Sequence, residues 1–408
     1  MKQERSYPFV TITKKGKKQL QQGHPWVYEG EVLALSDTIS NGDIVDVFSD
    51  TGSYLGSGFY NANSKIRVRI FSDNANDVFD EAFWRRRLLH SYEYRKSVMR
   101  EDIDDCRLIF GEADFFPGWT LDRFHDILVS QTMCLGIDQR KDLLYRLILS
   151  ILKEGGQVIK GIYERNDIGL RKLEGMEAYK GWANIDGYPT PDSCLTQIVE
   201  NGITYMVDVE NGQKTGFFLD QKYNRLALSR IVKDKHVLDC CTHTGSFALN
   251  AAKGGATHVH AVDISDTAIE MAKENAKRNH LEDVMSFEVA DVFECLKALK
   301  KKPRTYDVII LDPPAFTKSR ETVSHALKGY REINTLAMKL LPRGGYLATC
   351  SCSHFMKEGL FKSMLHEAAE AAGVGLRQVE ARQQSCDHPI LWNVPETNYL
   401  KFYIFQIC

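Results

Sequence analysis

The sequence predicts an α/β chain. A small all-β segment and a mixed α+β segment precede a doubly wound parallel sheet. Two observations carry this. From about residue 195, short apolar runs alternate with helical segments, at 236–241, 246–252, 258–263, 265–278, 285–289, 292–300, 306–311, 322–341, 345–351 and 356–371. Before residue 73 the apolar runs are strand-sized and bounded by Gly, Asn and Asp, as in hairpins. A chain of 408 residues is expected to hold two or three domains. We place their boundaries at 1–73, 74–190 and 191–408.

In the first segment, strands are expected at 10–12, 31–35, 44–48, 54–60 and 66–70, with one polar helix at 15–22. The stretch G-H-P-W-V-Y-E-G at 23–30 sets Trp26 and Tyr28 between turn residues. Lys65, Arg67 and Arg69 alternate with Ile66, Val68 and Ile70, giving one basic and one apolar face. A basic face beside aromatics suits RNA; Trp26 as a core residue with merely exposed arginines fits equally well. The second segment opens on a helix near 79–100 and continues through R-L-I-F-G-E-A-D-F-F-P-G-W-T-L-D-R-F at 107–124, read as hairpins broken by Gly111 and Pro117-Gly118. An amphipathic helix at 139–153 and a strand at 158–163 follow, and 181–194 reads as a linker. The last strand, 398–406, comes after a long loop and is expected antiparallel at a sheet edge.

Composition narrows the function classes. The chain is 43% hydrophobic and 26% charged with a formal net charge of −2, so no global field draws it to nucleic acid. RNA contact would need local patches, for which Lys14–Lys18, Arg85–Arg87 and Lys300–Lys302 with Arg304 are candidates, each also readable as a solvated face. No signal peptide, no membrane span and no metal-binding cysteine pair is read, and the ten scattered cysteines suit reduced thiols in a cytoplasmic protein.

The chemistry gathers at the carboxyl ends of the parallel strands, where open α/β sheets bind ligands. The run K-H-V-L-D-C-C-T-H-T-G-S-F at 235–247 ends a strand in Asp239 and turns through Thr244 and Gly245 into a helix. The second strand ends in Asp263, followed by Ile264, with the acid placed to accept from ribose hydroxyls. The third ends in Asp291-Val292, an acceptor for an exocyclic amine beside an apolar contact for a base. Each acid alone could be a helix N-cap; the set argues for a nucleoside. One glycine rather than G-x-G-x-x-G leaves no cradle for phosphates, which points to S-adenosylmethionine rather than a dinucleotide.

The fourth strand ends in D-P-P-A-F at 312–316, where Asp312, Pro313 and Pro314 border the pocket and Phe316 can stack on a flipped base. The fifth ends in T-C-S-C-S-H at 349–354. Methyl transfer to carbon-5 of cytosine requires a thiolate to add first to carbon-6. Cys352 is the expected nucleophile, with Asp312 facing the ring; Cys350, inside the strand, is the expected buried and inert alternative.

The C-terminal half resembles the class I methyltransferases, and nearly the whole chain is similar to the bacterial large-subunit 23S rRNA cytosine-5 methyltransferases. The resemblance rests on G-H-P-W-V-Y near 23, the 107–124 segment, Y-E-R-N-D at 163–167, T-G-F-F-L-D-Q-K-Y-N-R at 215–225, D-P-P-A-F and S-C-S. It implies an N-terminal PUA-like barrel, a central α+β domain and a Rossmann-like catalytic domain. It also implies that Phe218 and Gln221 lie over the methionine part of the cofactor, and it maps the family's cysteine onto Cys352. The family's D-H-P falls on Asp387-His388-Pro389. His388 becomes a candidate for helping remove the carbon-5 proton, since D-P-P-A-F lacks the second cysteine of other cytosine methyltransferases. Lys222 stands where the family carries Arg, and His243 where it carries an aromatic. The implied partner is 23S rRNA or a large-subunit precursor, with a homodimer among the expected states. Two rival readings are a guanine N-methyltransferase of similar fold and a non-catalytic RNA-binding or ribosome-assembly factor.

Overall fold

The computed structural model describes residues 5–301, 306–317 and 321–408. Two members of one basic run, Lys302 and Arg304, lie outside the described residues. The chain divides into two compact units, and neither is continuous in sequence. The first comprises Met1–Ile198, Val207–Leu219 and Cys386–Thr397; the second comprises Val199–Met206, Asp220–Ser385 and Asn398–Cys408.

The second unit is built on a seven-stranded sheet. Its strands are β1 (His236–Cys240), β2 (His258–Asp263), β3 (Met285–Val289), β4 (Val308–Leu311), β5 (Tyr346–Ser351), β6 (Leu376–Arg382) and β7 (Lys401–Ile407). The spatial order is β3-β2-β1-β4-β5-β7-β6. Strands β1 to β5 pair in parallel, and β7 is antiparallel to both β5 and β6. The central parallel strands are the most apolar because helices cover both faces there. β4, V-I-I-L, is buried at every position. The helices are α1 (Lys222–Ser229), α2 (Ser246–Lys253), α3 (Asp266–Arg278), α4 (Val292–Leu299), α5 (Val323–Leu340) and α6 (Glu358–Ala372). Leu238, Ile309, Leu311, Tyr330, Leu347 and Phe361 sit in one core between β1, β4, β5 and the helices α5 and α6. The strand order reverses between β1 and β4, which opens a crevice beyond their carboxyl ends.

The expected alternation of strands and helices from residue 236 is present, but the end of the chain differs. β7 lies inside the sheet, between β5 and β6, rather than at its edge. The edge is β6, L-R-Q-V-E-A-R, which the sequence reading passed over. Its residues are half-buried or exposed throughout and three are charged, a composition that guards an open edge but hides a strand from hydrophobic periodicity.

The first unit holds a six-stranded sheet formed by Phe9–Ile12, Trp26–Tyr28, Val32–Leu35, Ile44–Ser49, Tyr54–Tyr60 and Ile66–Ser72. Val10, Ile12, Val27, Val45, Val47 and Val68 fill its core. A five-stranded sheet follows, with the helices Glu81–Met99 and Lys141–Glu154 in the same unit. The basic face anticipated around Trp26 is not open. Arg69 pairs with Glu112 at 3.3 Å and Glu174 at 3.1 Å, and Arg67 pairs with Glu29. Trp26 Nε1 donates to Glu112 at 2.9 Å. Those carboxylates come from far along the chain, so their neutralising effect is invisible in the local pattern. Among the described residues no helix is long and apolar enough to cross a membrane.

Candidate functional site

The loop after β1 is the first wall of the site. Asp239 is fully buried, and its Oδ2 accepts from Thr242 Oγ1 at 2.6 Å. Its other oxygen has no hydrogen-bond partner among the described residues, and neither has the buried Thr244 Oγ1. Burial pushes the Asp239 carboxyl up to about 8; the Thr242 bond opposes this, and the Asp312 and Asp263 charges add to it. Cys241, His243 and Gly245 alternate at positive φ, of 63°, 52° and 84°. Left-handed backbone at two non-glycine residues is uncommon and collects at ligand sites. Gly245 has a second reason to be glycine: a Cβ there would stand 3.1 Å from Ala272 Cβ on α3.

An acid held at about 8 when folded, against a normal value near ~4 when unfolded, binds its proton more tightly in the folded protein. Its contribution to stability is therefore present below the unfolded value and falls as pH rises toward 8. Asp239→Asn should gain melting temperature over wild type progressively between pH 5 and pH 9, at both extremes measured without cofactor. A constant offset across that range would show that Asp239 is not protonated.

The neighbouring acids are engaged with backbone. Asp263 accepts from His243 N at 2.8 Å and from Ser265 N at 3.0 Å, which ties the β1 loop to the end of β2. Asp291 Oδ1 caps α4 by accepting from Phe293 N and Glu294 N. Next to them, Ile264 is 71% exposed, unusual for an isoleucine beside a sheet's ligand end. Val292 packs partly on the core. These groups fit S-adenosylmethionine. Orphaned polar atoms stand at the β1 turn, an uncovered apolar side chain follows the β2 acid, and no glycine triplet cradles phosphate.

The ends of β4 and β5 form the other wall. Cys350, buried in β5, donates its thiol to Asp312 Oδ1 at 2.8 Å, and Gln221 Nε2 points at the same sulfur from 3.5 Å. Burial and the Asp312 charge push the Cys350 thiol well up, so it stays protonated and orients the carboxylate. Cys352, one residue beyond the strand, is only partly buried. Its loop is held by Ser353 Oγ, which donates to the Thr317 carbonyl at 2.9 Å. Pro313 is buried and Pro314 exposed. Phe316 lies 4.6 Å from the Tyr330 ring and 6.2 Å from that of Phe293.

One residue was missed. Lys401 opens β7 opposite Ser351 and is buried. Its ammonium donates to the carbonyls of Ser353 and Tyr399, each at 2.7 Å. Burial lowers it to about 8, while the Cys352 and Cys350 thiols act in the opposite direction. A lone lysine in the run Y-L-K-F-Y-I-F was the available signal: a charge inside a buried strand needs a reason.

Two site candidates belong to the first unit. Phe218 lies under the Lys214 ammonium, 4.4 Å from its ring centre. His388 is buried, with Nδ1 at 2.9 Å from Asp387 Oδ1, and Asp387 Oδ2 accepts from Arg107 N at 2.8 Å.

A sheet of this order, with acids and a thiol at its carboxyl end, defines an S-adenosylmethionine-dependent methyltransferase. The family model of that description matches residues 178–404, and a PUA-like domain model matches 10–73. Ribosomal RNA large subunit methyltransferase I of Enterobacter sp. (strain 638) is 36% identical over 400 residues, covering 98% of this chain and 99% of the relative. The protein of the same name from Escherichia coli O127:H6 matches with the same figures. A solved chain from Streptococcus mutans described as a SAM-dependent methyltransferase superposes with a TM-score of 0.79 at 22% identity, covering 98% of this chain and 99% of its own. The chain belongs to the ribosomal RNA large subunit methyltransferase I family, and its cofactor is S-adenosylmethionine.

Proposed function

We propose that this protein methylates carbon-5 of a cytidine in 23S rRNA through a covalent adduct of Cys352. The observation that carries the reading is the contrast between the two cysteines at the end of β5. Cys350 is buried and spends its proton on Asp312, while Cys352 stands at the strand end in the field of a buried ammonium. The names of the relatives support large-subunit ribosomal RNA as the substrate class.

S-adenosylmethionine supplies the electrophilic methyl group. In this reading Asp239, Thr244, Gly245, Asp263, Ile264, Asp291 and Val292 hold its nucleoside, and Phe218 and Gln221 its methionine end. The Cys352 thiolate adds to carbon-6 of the ring, and the electron pair moves to carbon-5, which becomes the nucleophile. Asp312, oriented by the Cys350 thiol, faces the ring nitrogen, while Pro313, Pro314 and Phe316 border the base. Loss of the carbon-5 proton and expulsion of the thiolate restore the double bond and release the enzyme. His388 is proposed to assist that proton's removal. If so, His388→Ala should slow turnover while still accumulating the covalent adduct; unchanged turnover removes it from the mechanism.

The deciding experiment is mass spectrometry of nucleosides from 23S rRNA treated with enzyme and S-adenosylmethionine. 5-Methylcytidine is expected. A methylguanosine product would favour the amino-directed chemistry that D-P-P-A-F also serves, and would overturn the cytosine reading.

A further inference from the structure

The first unit contains a cleft of about 270 Å³ that the methyl-transfer reading does not use. Leu55, Ile70 and Leu391 are among the apolar residues that line it, and His24, Arg87 and Glu112 are among the polar ones. Phe115 also lines it and is 50% exposed. This phenylalanine has φ +59° and closes the short helix Gly111–Asp114 in the left-handed conformation. A bulky residue in that region is an outlier that the surrounding structure must hold in place, and here the result is an aromatic ring left half open to solvent.

Arg87 stands beside the ring, with its guanidinium carbon 5.4 Å from the Phe115 centroid and 4.6 Å from that of Phe83. Its hydrogen bonds go to the Phe71 and Phe115 carbonyls, and it forms no ion pair among the described residues. Burial lowers it to about 10, while the charges of Asp77 and Asp73 raise it, and Asp73 itself lines the cleft. A partly buried guanidinium with no ion pair among the described residues favours an anion beside it. His24 Nδ1 is buried without a partner among the described residues while its Nε2 stands 3.5 Å from Glu396, and Glu112 Oε1 accepts from Trp26 and Arg69.

The geometry points to a site for one unstacked nucleotide of the RNA substrate. The base lies on Phe115 over the aliphatic floor, its polar edge meets His24 and Glu112, and its phosphate meets Arg87. Aromatic rings bind single-stranded bases in this way whatever their sequence. The volume is below that of pockets for drug-sized ligands, roughly 300–1,000 Å³, and suits a single base. The cleft belongs to the first unit and the cysteine to the second, and the cleft would anchor the RNA while another nucleotide reacts. It rests on the reading of RNA as substrate, but not on the identity of the methylated atom.

The test uses the full chain and a 23S rRNA transcript. Phe115→Ala should weaken transcript binding about tenfold or more, raise KM for RNA, and leave kcat and S-adenosylmethionine affinity unchanged, whereas Phe115→Trp should retain wild-type affinity. A transcript carrying 4-thiouridine should photocrosslink to the peptide containing Phe115 in wild type. Binding is measured in the Cys352→Ala background, which separates it from catalysis. If that protein binds the transcript and Phe115→Ala binds it equally, with no crosslink at the cleft, the nucleotide site is wrong. If neither binds, the RNA-substrate reading itself fails. A crosslink to a ribosomal protein in precursor particles instead of to RNA also overturns the site. Unchanged melting temperatures in the variants exclude misfolding as the cause of lost binding, and Phe115→Asn, better suited to the left-handed backbone, should lose RNA affinity as Ala does.

Discussion

Cys352→Ala should abolish methyl transfer, by roughly 10⁴-fold or more, as expected when a nucleophile is removed. The sharper measurement is trapping. RNA carrying 5-fluorocytidine keeps fluorine where the proton must leave, so the wild-type adduct cannot resolve and should appear as a protein–RNA band stable to denaturant. Cys352→Ala should give no band, and Cys350→Ala should still give one, at a reduced rate because Asp312 loses the thiol that orients it. A band from Cys352→Ala that disappears in Cys350→Ala would exchange the roles. Full methylation by Cys352→Ala would end the covalent mechanism.

Lys401→Met should have the second largest effect. The ammonium bonds the carbonyl of the residue after Cys352 and is nearly desolvated, so its charge is weakly screened. A cation so placed favours the thiolate over the thiol. The pH at which iodoacetamide alkylation of Cys352 reaches half its maximal rate should rise by about one unit or more in Lys401→Met, with kcat falling on the order of tenfold at neutral pH. Lys401→Arg should restore much of both. A purely structural lysine would lower melting temperature and activity without moving the alkylation profile. That result would remove Lys401 from the chemistry and leave Cys352 untouched.

The sheet was legible because short strand-sized runs, most apolar in β1, β4 and β5, end at polar residues and alternate with helices that carry their own period. Asp239, Asp263, Asp291, Asp312 and Cys352 could be named because strand ends are visible in sequence. Their present bonds could not. That Asp291 caps α4, or that Cys350 reaches Asp312 across two strands, depends on packing between segments 38 residues apart or on local turns. Lys401 was missed because β7 reads as one more hydrophobic strand until its register opposite Ser351 is known. Arg69 of the first sheet looked open because its partners Glu112 and Glu174 lie 43 and 105 residues away.

The interleaved division of the chain has a consequence for its synthesis. The first unit takes residues 386–397, and the second takes β7 from the residues that follow. β7 is an interior strand, so the second sheet has a gap beside β5 until those residues arrive. A growing chain that has not yet produced residue 386 therefore contains no finished unit. Domains made early in translation can usually fold in turn as they emerge; here both must wait for the same short C-terminal stretch. Their completion is locked together in time, and from the synthesis of β5 at residues 346–351 until β7 arrives at 401–407 the nascent protein carries an unpaired β5 edge.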